Sequence, residues 1–476
     1  MGKYINCGKW NHYYKYPFLA IFFIILYDII KGVNYEDIFT TIQIIKQSKL
    51  NFPSHNYIHQ MFNYLGVFIF SLIFHLINLY KNKKSLNISS SSDRSTNSKK
   101  RIILIHNNAL KDFNEKHLFS ICILTIIIFV MAEQFLFLYG IILKDLDFWM
   151  FEIVILSYIN SHMFNIKVYN HQKLGLILNI FSFLFKICSI ISSIYFDDIE
   201  REIPIIYVKY NIVFLGILGF VIYFIFISLR AYGRSKIKWF MDLRYIKATK
   251  LLMIYGLMGS GICFVISFTS TFIKCKDINN EIDLNNYICK LNNSLYKDDN
   301  NSTELYFENF KLYFQKFSQS NELKDIIFEI ILIVLLMLIF FCFKYFSILT
   351  IQYLTPVHVT FVLPLYFYIQ KLTLGIYTLI AEHSFFKVWS KYGILKYHFD
   401  SSGDILSILG FLIYLEIIEL KFCKLNYNIK ENIMKRGRKE TNDMNKTDTS
   451  LSLNESDDSK RTLSMISLSS MSSLND

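Results

Sequence analysis

Apolar runs of membrane-spanning length alternate with polar segments along the whole chain. A helix needs about 20 mainly apolar residues to cross the hydrocarbon core of a bilayer. Because backbone groups in lipid must be satisfied within their own segment, such runs predict helices. They predict an all-α, polytopic membrane protein with about ten transmembrane helices, at residues 16–31, 57–80, 118–142, 146–168, 172–195, 208–230, 249–273, 325–348, 354–380 and 404–424.

The composition agrees with this class of protein. Hydrophobic residues make up 53% of the 476-residue chain, more than a soluble core of that size needs, so much of the surface must face lipid. The net charge of +12 does not indicate nucleic-acid binding, because the basic residues lie beside the apolar runs rather than on a soluble domain. Membrane lipid and a small-molecule solute are therefore the expected partners, and the sequence does not set the oligomeric state.

The distribution of Lys and Arg predicts the orientation. With a cytosolic N-terminus, the predicted cytosolic segments hold about twice as many Lys and Arg as the opposite ones, as the positive-inside rule expects. This places both termini in the cytosol. The predicted parts are an N-terminal arm (1–15), a transmembrane domain (16–424) with a cytosolic loop (81–117) and a lumenal loop (274–324), and a disordered cytosolic tail (425–476).

The predicted lumenal loop carries two kinds of extracytosolic signal. Glycosylation sequons begin at Asn292, Asn300 and Asn301, although sequons also arise by chance in an Asn-rich chain. Cys275 and Cys289 lie in the same loop. They form either a lumenal disulfide or two unrelated thiols, and their spacing does not decide between the two.

Two segments allow two interpretations each. The first apolar run follows basic residues, as a signal peptide would, but no small-residue cleavage site follows it, which favours a retained anchor. Residues 234–250 interleave Lys and Arg with apolar residues such as Ile237, Trp239 and Phe240. That pattern predicts a helix lying on the anionic cytosolic leaflet, or a plain solvated loop.

Ionisable groups inside apolar runs are costly enough to be functional hypotheses. Glu133 and Gln134 lie in the third predicted helix and Lys186 in the fifth. Glu133 and Lys186 are each about 14 to 15 residues from the cytosolic end, so at about 1.5 Å per residue they lie at one depth. We therefore predict a Glu133–Lys186 ion pair, either a structural clasp or a titratable coupling site.

The fourth and tenth predicted helices are also polar. The fourth carries Glu152 near its outer end and Asn160, Ser161, His162 and Asn165 nearer the cytosol, which predicts either a hydrophilic cavity or polar contacts between helices. The tenth carries Glu416 and Glu419, three residues apart and therefore on one helix face. Two such carboxylates would raise a pKa and suit proton coupling, unless they pair with Lys421 or lie at the interface.

The ninth predicted helix contains Pro356 and Pro364 together with His358, Gln370 and Lys371. Pro364 removes a backbone hydrogen bond in mid-span, which predicts a kink or a break. Interrupted helices in transporters bind substrate near the membrane midplane, whereas simple kinks are structural. No second His or Cys lies at ligand spacing from His358, so the sequence implies no metal site and no cofactor.

A resemblance to a known superfamily comes from topology and a few residues. Gly256 and Ser260 in the seventh predicted helix have the small-xxx-small spacing of close helix packing, and the sequence Tyr353-Leu354-Thr355-Pro356 opens the ninth. Ten helices with both termini cytosolic resemble the drug/metabolite transporter superfamily, which includes nucleotide-sugar and triose-phosphate carriers. Over residues 16–424 the resemblance implies two inverted five-helix repeats.

Catalytic signatures are lacking: no Walker loop, HExxH, GxSxG elbow or strand-associated GxGxxG occurs. The leading hypothesis is therefore secondary transport of a small polar organic solute by alternating access. The alternatives are a multi-pass endomembrane enzyme acting on lipid or glycan through His162 or His358, and a receptor or scaffold that does not transport. The pathway candidates are Glu133, Gln134, Asn160, His162, Lys186, Pro364, Gln370, Lys371, Glu416 and Glu419.

Overall fold

The computed structural model describes ten continuous ranges of the chain and a few single residues. The ranges are 5–7, 15–31, 57–89, 115–142, 151–164, 168–195, 212–244, 246–272, 323–362 and 394–420, with residues 365, 366, 368, 369 and 372 in addition. Helices account for nearly all of them. In chain order the elements are β1 Ile5–Cys7, α1 Lys15–Lys31, α2 Tyr57–Ser89, α3 Glu115–Ile142, α4 Phe151–Met163, α5 Asn170–Tyr195, α6 Ile212–Arg244, α7 Ala248–Ser270, α8 Leu323–Tyr353, α9 Ile394–Tyr414 and β2 Ile418–Leu420.

Five of the helices in the described ranges are long and apolar enough to cross a membrane. Their apolar parts are Tyr57–Tyr80, Phe119–Leu136, Asn170–Ser189, Ala248–Ser270 and Ile326–Tyr353. The first helix has a shorter apolar part, Lys15–Tyr27. The mainly helical, membrane-spanning character predicted from hydropathy is therefore confirmed, whereas the count of ten spans and the inverted repeats stay predictions.

A two-residue connection separates the end of α8 from the next helical residues. Leu354 and Thr355 are not helical, and helix resumes over residues 356–362. Pro356 is the first residue of this segment, where its fixed φ and missing N–H suit a helix start. The 356–362 segment is the described beginning of the ninth predicted helix.

The two largest apolar cores among the described residues each collect side chains from several helices. The first core collects α2, α3, α6, α7 and α8, with fully buried residues such as Phe240 of α6. The second core joins α4, α9 and the 356–362 segment. Ala231 of α6 belongs to the second core and Val359 to the first. Helix α6 and the 356–362 segment therefore contribute to both cores and lie where they meet.

The course of α6 contradicts the predicted surface helix at residues 234–250. The helix that begins at Ile212 continues without a break to Arg244, and the side chains of Ile237 and Phe240 are buried in the first core. Because these apolar side chains are buried against neighbouring helices, they cannot also insert into a lipid leaflet. The loop alternative is wrong for residues 234–244 for the same reason.

The tenth predicted helix has different bounds in the structure. Helix α9 begins ten residues earlier than predicted and ends at Tyr414. Glu416 then has a φ of 61°, a left-handed conformation that is uncommon for a residue other than glycine, and residues 418–420 form β2. Strand β2 pairs antiparallel with β1, with Ile5 opposite Leu420. The polar first turns of α9 hide its start from a hydropathy window.

Candidate functional site

Glu133 of α3 lies beside the first core and contacts residues from three other helices. The ammonium of Lys344 in α8 donates to both carboxylate oxygens, at 3.0 Å to Oε1 and 3.2 Å to Oε2. The hydroxyl of Tyr255 in α7 donates to Oε2, and that of Tyr64 in α2 lies 3.3 Å from the same oxygen. The partner of Glu133 is therefore Lys344.

Aromatic rings and an amide enclose this ion pair. The Lys344 ammonium lies 5.1 Å from the centre of the Tyr255 ring, within the range of a cation–π interaction. Gln134 Nε2 donates to the Tyr64 hydroxyl at 2.9 Å. The other amide atom of this side chain, Oε1, is buried and has no hydrogen-bond partner among the described residues. Glu133 and Gln134 thus contribute to one polar cluster inside the helix bundle.

Glu152 of α4 binds two arginines of α6. Arg230 grips the carboxylate with Nε at 3.2 Å and Nη2 at 2.7 Å, and Arg234 donates from Nη1 at 2.8 Å. The same Nη1 lies 3.1 Å from the hydroxyl oxygen of Thr360 in the 356–362 segment. Arg230 and Arg234 are four residues apart, so both extend from one face of α6. Glu152 itself is completely buried.

These two clusters form one electrostatic unit, which we call the central charge network: Glu133, Glu152, Arg230, Arg234 and Lys344. Arg234 interacts electrostatically with both carboxylates, and Lys344 interacts with both arginines. The five side chains are 0% to 16% exposed. Three cations and two carboxylates leave the network with one excess positive charge.

Lys186 has different partners, so the predicted Glu133–Lys186 pair is wrong. The Lys186 ammonium binds Asp400, and it lies 2.8 Å from Asp404; both are on α9. Equal depth did not bring Glu133 and Lys186 together because α5 packs mainly against α9, whereas α3 packs against α6 and α7. Lys186, Asp400 and Asp404 form the Lys186 cluster.

On the N-terminal side of Lys186 along α5, this helix packs against α9 through a seam of small and polar residues. Ser182 donates to the carbonyl of Gly403 at 2.6 Å, and Ser407 donates to Asn179 Oδ1 at 2.8 Å. A Cβ placed on Gly410 would come within 2.5 Å of Asn179 Nδ2. The seam therefore depends on the close approach that only glycine at position 410 permits.

The remaining candidates of α4 contact neighbours outside the central charge network. Asn160 Oδ1 accepts a hydrogen bond from Ser235 of α6 at 2.8 Å, so it links two helices. The His162 ring packs edge-on against Tyr158 of the same helix, with the ring centroids 4.7 Å apart. Ser161 donates to the carbonyl of Tyr158.

Glu416 and Glu419 do not share a helix face, and this prediction is wrong. Glu416 lies in the turn after α9, and Glu419 is in strand β2. Glu416 Oε1 is 3.2 Å from Nε2 of His171, but neither ring nitrogen of this buried histidine makes an aligned hydrogen bond among the described residues. The two side chains are therefore in contact without an aligned hydrogen bond.

Several predicted sites lie outside the described residues. They are Asn165 of the fourth predicted helix, Pro364, Gln370 and Lys371 of the ninth, Lys421 after the tenth, the cysteines Cys275 and Cys289, and the sequons at Asn292, Asn300 and Asn301. Among the residues that the structure does describe, no group of three or more His, Cys, Asp or Glu could hold a metal ion.

Sequence reasoning missed Arg230, Arg234 and Lys344 as site residues because the topology counts them with the cytosolic charges. One signal was present: no Gly-Pro or Pro breaker separates the apolar run of α6 from Arg234. Basic residues four apart directly after an apolar run can therefore belong to the same buried helix. This pattern places Arg230 and Arg234 on the helix that carries the partners of Glu152.

Comparison with protein-family models, with curated proteins and with solved structures gave no match. The class of protein therefore follows from the fold alone. Five helices of spanning length and apolar composition, packed around buried charges, indicate an integral membrane protein.

Proposed function

We propose that this chain is a secondary transporter of a small polar solute that works by alternating access, with the central charge network on its pathway. The observation that carries the proposal is the burial of five ionisable side chains from four helices inside a membrane bundle. Charges within membrane helices are costly, and they commonly mark ion or substrate pathways.

The position of the central charge network supports a moving part. Lys344 and Glu133 belong to helices of the first core, and Glu152 belongs to the second. Arg234 contacts Glu152 and Thr360 from α6, which contributes to both cores. If α6 and the elements of the second core change their relative orientation, the contacts of Arg234 with Glu152 and Thr360 must break and reform. Buried contacts with two alternative arrangements are what a two-state transition requires.

The rival functions have weaker support in the described residues. His358 Nδ1 lies 2.7 Å from the hydroxyl of Thr355, and His162 packs on a tyrosine ring. The ring of Tyr158 cannot orient His162 as a catalytic base in the way that a carboxylate does. The drug/metabolite transporter resemblance stays part of the proposal at the level of topology, and the receptor or scaffold alternative depends on the tail.

Flux through sealed proteoliposomes tests the proposal. A labelled panel of monosaccharides, amino acids and organic acids would be offered to the native protein and to Glu152→Gln. We expect saturable uptake of at least one solute class and a loss of at least about tenfold in the variant, because Arg230 and Arg234 lose their shared carboxylate. Asp242→Asn is the matched control, since Asp242 is on α6 but 41% exposed.

The alternatives predict different results. An enzyme would form product in detergent, where no sealed compartment exists. A scaffold would show neither flux nor product, and deletion of residues 425–476 would abolish its partner binding. Either result would replace the transport proposal, provided that size-exclusion profiles show folded protein.

A further inference from the structure

The geometry points to Arg234 as the binding residue for the carboxylate or phosphate group of an anionic solute. This inference deepens the proposed function and rests on it. It names a substrate class and a residue that the sequence did not single out.

Arg230 donates two of the three hydrogen bonds that the arginines make to Glu152. Its Nε and Nη2 atoms contact the two carboxylate oxygens separately, which is the bidentate geometry that suits a guanidinium and a carboxylate best. Arg234 shares Oε1 through a single nitrogen, Nη1. Glu152 thus binds Arg230 through both carboxylate oxygens and Arg234 through one of them.

The other edge of the Arg234 guanidinium is available. Its Nη1 contacts Glu152 and Thr360, whereas Nε and Nη2 make no hydrogen bond within the described part of the chain. These two nitrogens form the planar edge that binds carboxylate or phosphate oxygens in pairs. The Arg234 side chain is only 7% exposed, so bulk water does not fully solvate this edge.

The charge balance favours an anion at this place. A buried charge without a counterion is unfavourable, because burial removes its hydration. The excess positive charge of the central charge network is shared by Arg230 and Arg234, which both bind the single carboxylate of Glu152, because Glu133 is paired with Lys344. A monovalent anion would neutralise the network.

Two sources of the anionic group are distinguished by lipid composition. A phosphate could belong to a lipid headgroup or to a free solute. Purified protein would therefore be placed in nanodiscs of phosphatidylcholine alone, and the same measurements repeated with phosphatidylglycerol added. The probes are inorganic phosphate, lactate and succinate, with glucose and choline as neutral and cationic comparisons at constant ionic strength.

Thermal stabilisation reports binding without requiring transport. We expect at least one of the three anions to raise the melting temperature in a saturable way, while glucose and choline do not. Arg234→Gln should weaken the apparent affinity by about tenfold or more, as expected when a hydrogen-bonded charge is lost. Arg234→Lys keeps the charge but loses the planar edge, so it should restore the affinity only in part.

Lys236→Gln is the matched control, because Lys236 is on the same helix but lies over the rings of Tyr232 and Trp239. Its affinity should equal that of the native protein. Equal stabilisation by all probes, or unchanged affinity in Arg234→Gln, would overturn the inference. If Arg234→Gln does not fold, unchanged affinity in Arg234→Lys would overturn it instead.

The outcome in phosphatidylglycerol separates the two sources. Full stabilisation by this lipid, with no further effect of the free anions, would assign the site to a headgroup and reject the solute site. Failure of the proposed transport function gives a different result from failure of the anion site. Arg234-dependent anion binding without any flux in sealed vesicles would remove transport and keep the anion site.

Discussion

At the scale of single residues, Glu133 shows how a buried charge is satisfied in this protein. Lys344 supplies the opposite charge, and the hydroxyls of Tyr255 and Tyr64 surround the same carboxylate oxygen. Removing one member of such a pair leaves the other charge buried, which costs more than removing both. The identity of the true partner can therefore be measured.

A double-mutant cycle on Glu133 and Lys344 tests that partnership. We expect Glu133→Gln and Lys344→Gln each to lower the melting temperature, and the double variant to lose much less than their sum. The coupling should be about 1 kcal/mol or more, as for residues in direct contact. The measurement is thermal unfolding of the purified variants in the same detergent.

Glu133→Gln combined with Lys186→Gln is the matched comparison. Because Lys186 binds Asp400 and Asp404, we expect this second cycle to be additive. Strong coupling between Glu133 and Lys186, with none to Lys344, would contradict the described ion pairs.

At the scale of elements, glycines set how closely helices approach. A Cβ on Gly256 of α7 would lie 2.4 Å from the backbone nitrogen of Phe68 in α2, and one on Gly259 would meet the Tyr64 ring at 2.2 Å. The predicted close packing at Gly256 is therefore confirmed. Its second position is Gly259 rather than Ser260, whose hydroxyl donates to the carbonyl of Leu257 in its own helix.

Gly256→Ala and Gly261→Ala make a matched pair of variants on α7. We expect Gly256→Ala to destabilise the protein by about 1–3 kcal/mol, because the methyl group forces two helix backbones apart. Gly261 has no atom within 4 Å of its built Cβ. Its replacement should be neutral or stabilising by up to about 1 kcal/mol, since alanine favours the helix. Equal losses in thermal unfolding would argue against this α2–α7 contact.

The sequence predicts elements better than it predicts their partners. Helices α2, α5 and α7 begin within two residues of their predicted starts, because continuous apolar runs identify spans directly. The start of helix α9 was not predicted, because the first half of the helix is polar and contributes Asp400 and Asp404. The pairing of Glu133 with Lys344 was not predicted either, since depth in the membrane does not say which helices are neighbours.

At the scale of the whole molecule, contacts between helices report their relative directions. Gly175 of α5 lies against Gly410 of α9, and Ser182 against Gly403, so residue numbers rise along one helix as they fall along the other. These helices are antiparallel. Helices α2 and α7 are antiparallel by the same reasoning, because Gly256 meets Phe68 while Gly259 meets Tyr64.

Helices α4 and α6 run in the same direction. Phe151 packs near Phe224, and Asn160, further along α4, binds Ser235, further along α6. In a chain that crosses the membrane alternately, even-numbered spans run parallel to each other and antiparallel to odd-numbered ones. Counting α9 as the tenth predicted span, these three helix pairs agree with the alternating topology, which supports it without fixing the number of spans.

Protease protection tests the side assigned to the C-terminus. The basic residues from Lys421 onward predict a cytosolic location. We expect protease added to sealed vesicles with the cytosolic side outward to remove a C-terminal tag. Protection of the tag in intact vesicles, with cleavage after detergent is added, would contradict the topology.

Glycosylation tests the opposite side of the membrane. We expect a sequon engineered into residues 274–324 to be modified during membrane insertion, because this loop is predicted to be lumenal. Asn300→Gln together with Asn301→Gln should leave Asn292 as the native acceptor in the loop. Gel mobility with and without glycosidase measures both effects, and the same engineered sequon placed in residues 81–117 should stay unmodified.

The unequal count of charges in the central charge network has an electrical consequence. An empty network carries one positive charge, while a network holding a monovalent anion carries none. In the proposed cycle, reorientation of the empty form therefore responds to the transmembrane potential, by up to about 2.3 kcal/mol per 100 mV for a charge that crosses the whole field. Net uptake should change with an imposed potassium diffusion potential, whereas one-for-one anion exchange, which uses only the loaded form, should proceed at the same rate at every voltage.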